Sequence, residues 1–192
     1  TEELIANWSS GCGSGALEGT YGRIHTRALE KALKQTKGIQ NGHVLVIGSL
    51  NPWVEACLLH VGAREVTTLE YGKIISLHPK LKTMVPSEAR DLYAAGSLPS
   101  FDAVVTYSSV EHSGLGRYGD VLNPWGDLQT VARAWCVTKA GGGLLLSVPE
   151  GPDRIMFNAH REYGPVMLSQ LAANWIQELK LGVGGHPTYI LH

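Results

Sequence analysis

The sequence predicts an α/β fold with one mostly parallel, doubly wound sheet that ends in an antiparallel strand pair. Two observations predict it. Short apolar runs alternate with helical segments from residue 24 to residue 148, and strands separated by helices form parallel sheets with right-handed crossovers. After Pro149, one helical segment is followed by two strand segments only six residues apart, a spacing typical of an antiparallel pair.

The individual elements follow from hydrophobic periodicity and from capping residues. Apolar residues at helical spacing predict an amphipathic first helix, and Gly38 suits the position just beyond its end. Asn51 and Pro52 are a typical N-cap and first helical residue. Short apolar runs bounded by turn residues predict buried strands. The predicted helices cover 24–37, 53–60, 127–138 and 165–173, and the predicted strands cover 43–48, 65–71, 83–85, 101–107, 142–148, 176–181 and 188–191.

Length and composition limit the domain organisation and the partners. A chain of 192 residues suits one domain, and we expect residues 1–40 to form a helical segment packed on a Rossmann-like domain over residues 41–192. The net charge of −1 argues against nucleic-acid binding, which requires a basic surface. No apolar stretch is long enough to span a bilayer and no secretory signal opens the chain. We therefore expect a cytoplasmic protein that binds no membrane.

The cysteine pattern indicates the same compartment. Cys12, Cys57 and Cys136 are odd in number and widely scattered. Disulfide frameworks show paired spacings, and this sequence has none. The sequence therefore predicts free thiols in a reducing compartment.

The segment after the strand over 101–107 is the strongest candidate for a functional site. Residues 107–120 read YSSVEHSGLGRYGD and combine Glu111, His112 and Asp120 with three glycines. Ligands of open α/β sheets bind just beyond the carboxyl ends of the strands. Proton-transfer and metal-binding groups at that position predict a site, with a polar surface loop as the alternative.

Two kinds of chemistry suit these side chains when His160 is added. Glu111, His112 and His160 form a candidate catalytic set in which a histidine acts as general base, since its unperturbed pKa lies near neutrality. The same three residues and Asp120 offer the oxygen and imidazole ligands that bind divalent ions such as Mg²⁺ or Mn²⁺. Structural roles in turns and loops stay open for each of these residues.

The arrangement resembles the class I S-adenosylmethionine-dependent methyltransferases, whose mostly parallel sheet ends in an antiparallel hairpin. Their glycine-rich loop after the first strand corresponds to VIGSLNP over residues 46–52, where Gly48 alone keeps the pattern. In that family an acidic residue at the end of the second strand accepts hydrogen bonds from the ribose, and Glu70 occupies this position. The resemblance implies S-adenosylmethionine as cofactor, held by Gly48, Ser49, Asn51, Glu70 and Ser109.

A narrower resemblance, to the DUF268 family first described as uncharacterised nematode proteins, spans most of the chain. It implies a methyltransferase-like fold with an unestablished reaction. The similar motifs are NPWVEA over 51–56, TLEY over 68–71, SVEHSGLGRYGD over 109–120 and NAHREYG over 158–164.

Further side chains extend the candidate site. Tyr21 and His25 precede or open the first predicted helix, and in folds of this type an N-terminal helix often covers the pocket. Arg117 and Arg161 either pair with an acidic substrate or brace loops through backbone carbonyls.

Together these features predict an enzyme that transfers a methyl group from S-adenosylmethionine to a hydroxyl group of a small molecule or sugar. Two alternatives keep the fold. One is a metal-assisted lyase, hydrolase or isomerase centred on Glu111, His112, Asp120 and His160. The other is a non-catalytic binding domain that has lost its donor site. The expected partner is a small-molecule substrate, and the oligomeric state stays open.

Overall fold

A computed structural model describes residues 1–182 and 185–192 of the chain. A single-turn 3₁₀ helix covers Val110–His112. The α-helices are α1 (Glu2–Ser14), α2 (Arg23–Leu33), α3 (Trp53–His60), α4 (Pro86–Ala94), α5 (Gly126–Val137) and α6 (Pro165–Leu171). The strands are β1 (His43–Ile47), β2 (Glu65–Leu69), β3 (Leu81–Met84), β4 (Phe101–Tyr107), β5 (Thr138–Ser147), β6 (Arg154–Met156), β7 (His160–Glu162), β8 (Gln177–Leu181) and β9 (Thr188–Leu191).

Seven of these strands form one sheet in the order β3-β2-β1-β4-β5-β9-β8. Strands β1 to β5 pair in parallel, while β9 lies antiparallel between β5 and β8. The predicted α/β sheet with an antiparallel end is therefore confirmed. The strand order reverses between β1 and β4, so these strands flank the switch point at which open α/β sheets bind ligands. The predicted connection between β8 and β9 includes residues 183–184, which lie outside the described residues.

The sheet separates two apolar clusters, as expected for strands that are buried on both faces. On one face, Leu29 of α2 and Leu58 of α3 pack with Val105 of the sheet. On the other face, Val131 of α5 and Leu171 of α6 pack with the second set of strand side chains. Helix α4 contributes no buried residue to either cluster.

Several predicted boundaries differ from the structure for local reasons. Helix α2 ends at Leu33, and Gly38 serves a close approach to β4, because a Cβ atom there would lie 1.8 Å from the carbonyl oxygen of Asp102. Helix α3 begins at Trp53 without a side-chain cap. The predicted capping role of Asn51 is wrong, since its backbone oxygen, 2.8 Å from the amide of Trp53, accepts the hydrogen bond there.

Four elements, α1, α4, β6 and β7, were not predicted individually. Helix α4 buries none of its side chains, so its sequence shows no apolar stripe from which to recognise a helix. Helix α1 mixes helix formers with five glycine and serine residues in its second half, which weakens the local propensity. Strands β6 and β7 form a separate two-stranded hairpin of three residues each, too short for alternation to be read.

The prediction of free thiols is wrong for two of the three cysteines. Cys12 of α1 and Cys57 of α3 form a disulfide across 45 residues of sequence, with their Cα atoms 5.5 Å apart. Widely separated cysteines give no sequence signal for such a bond, because the packing of α1 against α3 brings them together. Cys136 is a free, exposed thiol.

Within the described part of the chain, no helix combines the length and apolar character needed to cross a membrane.

Candidate active site

A cavity of about 620 Å³ opens where β1, β2 and β4 end. Gly48, Glu70 and Ser109, which directly follow or lie just beyond these strands, form part of its wall. The rest is mostly apolar and runs beneath α4, with Leu45, Ile47, Leu69, Met84, Tyr93, Phe101, Ala134 and Val137 among the lining residues. A cavity of this size and composition is typical of small-molecule sites.

The carboxylate of Glu70 organises the polar end of the cavity. Its Oε2 accepts a hydrogen bond of 3.0 Å from the amide of Ser49, and its Oε1 accepts one of 2.7 Å from the amide of Tyr71. Each carboxylate oxygen offers two lone pairs, so Glu70 retains acceptor capacity for further donors. The loop after β1 and the end of β2 are thereby held together at the cavity wall.

A second glutamate supports the same loop from below and was not among the predicted site residues. Glu55 of α3 is fully buried, and its carboxyl group lies 2.9 Å from Ser49 Oγ and 2.7 Å from Thr68 Oγ1. Burial raises the pKa of Glu55 to about 7. One charged residue inside the apolar run 53–59 is the sequence signal that indicates a buried polar role.

Gly48 and Ser109 lie in direct contact at the switch point. A Cβ atom at Gly48 would lie 1.8 Å from Ser109 Oγ and 2.5 Å from Ser109 Cβ, and the backbone of Gly48 has a φ of +73°. Glycine is therefore required here by both the close approach and the left-handed conformation. Asn51, by contrast, is exposed on the turn before α3.

The replacement Gly48→Ala should lower the free energy of unfolding by about 1–2 kcal/mol, because the methyl group meets Ser109 and the left-handed backbone is strained. Denaturant titration measures the loss. Gly48→Ala with Ser109→Gly removes the collision but not the backbone strain, so the double variant should recover part of the stability. An equal loss in both variants would show that contact with Ser109 is unimportant.

Glu111 forms the centre of a second polar group just beyond β4. Its Oε1 accepts a hydrogen bond of 2.6 Å from Ser108 Oγ, whereas its buried Oε2 has no partner among the described residues. Burial raises the pKa of Glu111 to about 7, against the opposing effect of the hydrogen bonds. Ser108 has a φ of +50°, a conformation that is costly for residues other than glycine and recurs at functional sites.

The hairpin of β6 and β7 brings two of the predicted histidines together. His112 donates a hydrogen bond of 2.6 Å from Nδ1 to the carbonyl of Ala159, which leaves a lone pair on Nε2, 3.7 Å from Glu111 Oε1. Burial lowers the pKa of His112, so the ring is neutral near pH 7. The His160 ring lies 6.2 Å from that of His112.

The predicted metal-binding set is not assembled in the described residues. Both carboxylate oxygens of Asp120 accept backbone hydrogen bonds, from Gly114 at 2.6 Å and Tyr118 at 3.3 Å, so this residue closes its own loop. Residues 1–182 and 185–192 contain no group of three or more His, Cys, Asp or Glu side chains arranged to bind a metal ion.

Arg161 braces the site from beneath. Its buried guanidinium donates to the carbonyls of Glu111, Ser113 and Pro124 at 3.3, 2.7 and 3.1 Å. It also lies 3.4 Å from Asp127 Oδ2 of α5. The sequence left two roles open for Arg161, pairing with an acidic substrate or bracing loops. Its contacts with backbone carbonyls show loop bracing.

His186, which precedes β9, completes the polar group and was not predicted. Its ring stacks on Tyr107 with a centroid separation of 5.6 Å and an interplanar angle of 12°. Its Nε2 lies 3.9 Å from Glu111 Oε1. Burial lowers the pKa of His186 to about 4.

The N-terminal residues Tyr21 and His25 contact the same polar group. The Tyr21 ring lies 5.8 Å from that of His186, and His25 forms a 3.1 Å hydrogen bond with the Tyr107 hydroxyl.

The fold is that of class I methyltransferases. The "DhpI-SAH complex structure" matches with a TM-score of 0.63 and 14% identity, over 100% of this chain and 95% of that chain. An O-methyltransferase family protein from Burkholderia thailandensis matches with a TM-score of 0.62 and 10% identity, over 88% and 56%. A chain of the complex between the Haloferax volcanii Trm112 methyltransferase activator and a putative methyltransferase matches at 0.61 and 9%, over 99% and 96%.

At these identities the similarity shows the fold alone. The chain spans little more than half the length of the Burkholderia protein. No curated protein matches the sequence. The family described as "Caenorhabditis protein of unknown function, DUF268" matches residues 41–179, well over half of the chain and all four of the motifs noted above. The chain therefore belongs to the DUF268 family.

Proposed function

We propose that this chain is an S-adenosylmethionine-dependent methyltransferase that acts on a hydroxyl group of a small molecule or sugar. The observation that supports this best is the cavity at the switch point, where Gly48, Glu70 and Ser109 lie together. Solved structures with the same fold include complexes with SAH (S-adenosylhomocysteine) and S-adenosylmethionine. When bound, such a donor supplies an electrophilic methyl group.

The cavity residues fit the nucleoside part of this donor. Leu69 and Met84 offer apolar surface to a purine base, and the neighbouring Glu70 offers unused lone pairs to ribose hydroxyls. The volume of about 620 Å³ lies within the range of small-molecule sites. In this proposal Gly48 and Ser49 shape the loop that faces the donor, and Glu70 sets its position.

An acceptor hydroxyl needs a group that takes its proton, and the second polar group supplies two candidates. His112 and His186 both have lowered pKa values and are neutral at pH 7. Each directs Nε2 toward Glu111 Oε1, at 3.7 and 3.9 Å. A proton taken up by either ring is stabilised by the adjacent carboxyl group once that group is ionised. Positioning by these side chains would contribute much of the rate.

The replacement Glu70→Gln should weaken binding of S-adenosylhomocysteine about tenfold, because hydrogen bonds to a charged acceptor are stronger than those to an amide. Isothermal titration calorimetry measures the dissociation constant. The matched control is Glu65→Gln. Glu65 is paired with Lys82 and lies at the start of β2, whereas Glu70 follows the end of that strand. This control should leave the affinity for S-adenosylhomocysteine unchanged.

Two results would contradict the proposal. If the wild-type protein binds neither S-adenosylmethionine nor S-adenosylhomocysteine, S-adenosylmethionine is not its methyl donor. Equal affinities of folded Glu70→Gln and wild type would remove Glu70 from the site.

A further inference from the structure

Two buried polar atoms at the second polar group lack hydrogen-bond partners in the described residues. One is Glu111 Oε2, on a side chain that is 1% exposed, and the other is His186 Nε2. Leaving such atoms unpaired costs free energy, and in native structures they indicate a function or a missing partner.

The protonation of His186 follows from its neighbours. Ser147 Oγ donates to the carbonyl of Pro187 at 3.0 Å, so its single proton is committed there. His186 Nδ1, also 3.0 Å from Ser147 Oγ, must then be the donor in that contact. The neutral ring consequently presents a bare lone pair at Nε2, which is an acceptor.

Glu111 supplies the complementary donor. Because Oε1 receives the hydrogen bond from Ser108, the proton of the neutral carboxyl group belongs on the unpartnered Oε2. The distance of 3.9 Å between His186 Nε2 and the nearer carboxyl oxygen is too long for a direct hydrogen bond. A single oxygen atom of a ligand can lie within hydrogen-bond distance of both residues. One donor and one acceptor match a hydroxyl group, which both donates and accepts, and do not match an ammonium or a carboxylate.

Tyr21 occupies the approach to this pair. Its ring lies 5.6 Å from Tyr107, 5.8 Å from His186 and 6.3 Å from Trp53. The side chain is 40% exposed, and Gly22 next to it has a φ of +85° with open space around it. A phenol that belongs to the chain thus covers the pair, within walls made of three other rings.

We infer that the space under Tyr21, between Glu111 and His186, binds the hydroxyl group of a phenolic acceptor, and that the acceptor displaces the Tyr21 ring. This inference rests on the proposed function in one respect, namely that the bound phenol is the methyl acceptor. His186 is then the group that receives the phenol's hydrogen bond, and Tyr107 and Trp53 contact its ring.

The test uses the full chain with p-cresol, which is the tyrosine side chain as a free molecule, and toluene, which has the same ring without the hydroxyl. Tyr21→Ala should bind p-cresol at least tenfold tighter than wild type does, and at least tenfold tighter than it binds toluene. Adding His186→Phe keeps a ring at that position and removes the acceptor nitrogen, so the preference for p-cresol should fall to about twofold or less. In wild type, saturating p-cresol should shift the ¹⁵N resonance of His186 Nε2.

Equal binding of p-cresol and toluene, a preference that survives His186→Phe, or an unmoved His186 resonance would each overturn the inference. The wild-type resonance decides the matter even where a variant fails to fold. Titration with S-adenosylhomocysteine on the same samples separates the two proposals. If the protein binds p-cresol but not S-adenosylhomocysteine, the phenol site stands and the methyltransferase proposal is wrong. If it binds S-adenosylhomocysteine but not p-cresol, the methyltransferase proposal stands and the phenol site is wrong.

Discussion

Replacing Arg161 by methionine should lower the free energy of unfolding by about 3–5 kcal/mol, the usual cost of removing one partner from a buried ion pair. The side chain is 1% exposed and donates to the carbonyls of Ser113 and Pro124, with Asp127 beside it. Methionine is of similar length, so the cavity left behind is small. The loss comes from the carbonyls, which no longer have this donor, and from buried Asp127, which loses its positively charged neighbour although it keeps the hydrogen bond of 3.0 Å from the Tyr163 hydroxyl.

Arg154→Met is the matched control for this prediction. Arg154 lies on β6, opposite Glu162 of β7, and both carboxylate oxygens of Glu162 lie 2.7 Å from its Nη2. Its side chain is half exposed, and exposed pairs contribute about 1 kcal/mol or less. Urea titrations of both variants measure the difference. Similar losses in the two would show that the Arg161 network does not hold the site segment in place.

The arrangement of the sheet could be predicted because each strand is a local feature of the sequence. β4 and β9 begin and end where predicted, since both are buried apolar runs bounded by turn residues. Helix α5 and strand β5 were harder. The helix ends at Val137 and the strand starts at once at Thr138, so no turn residues mark the change. The predicted strand begins only at residue 142, because residues 139–141 resemble a turn although they belong to the strand.

The site could be predicted only where it depends on strand ends. Glu70 and Ser109 lie on the cavity wall because the first follows β2 and the second lies just past β4. His186 could not be found in this way. It meets Ser147 because β9 pairs with β5 in a particular register, in which Thr188 faces Ser147, and no local pattern encodes that pairing. The Cys12–Cys57 disulfide was missed for the same reason.

Glu55 connects the folding of the chain with the loop at the donor cavity. Burial raises the pKa of Glu55 to about 7, so below this pH the side chain is a neutral acid. Its proton can then be donated to Ser49 Oγ, which in turn donates to the carbonyl of Asn51 at 3.0 Å. Ionised Glu55 would instead draw the Ser49 proton to itself and release the Asn51 carbonyl. The loop after β1 is therefore best held when Glu55 is protonated.

Glu55→Gln should mimic the protonated state at every pH, since the amide donates to Ser49 and accepts from Thr68. The pKa is about 7 in the folded chain and 4.5 in the unfolded chain, so the folded state binds more protons between these values. Wild-type stability due to this group is present below pH 4.5 and is lost as the pH rises to 7. The free energy of unfolding of the variant minus that of wild type should therefore increase by about 2–3 kcal/mol from pH 5 to pH 8.

Urea titrations of wild type and Glu55→Gln across that pH range measure this difference, in which the contributions of the histidines cancel. Glu65→Gln, at the start of β2, is the control. The hydrogen bond with Lys82 lowers the pKa of Glu65, so the stability due to this group changes with pH only below pH 4.5. Its difference from wild type should be constant from pH 5 to pH 8. A constant difference for Glu55→Gln as well would mean that Glu55 is ionised throughout, and that the Glu55–Ser49–Asn51 chain of hydrogen bonds runs in the opposite direction.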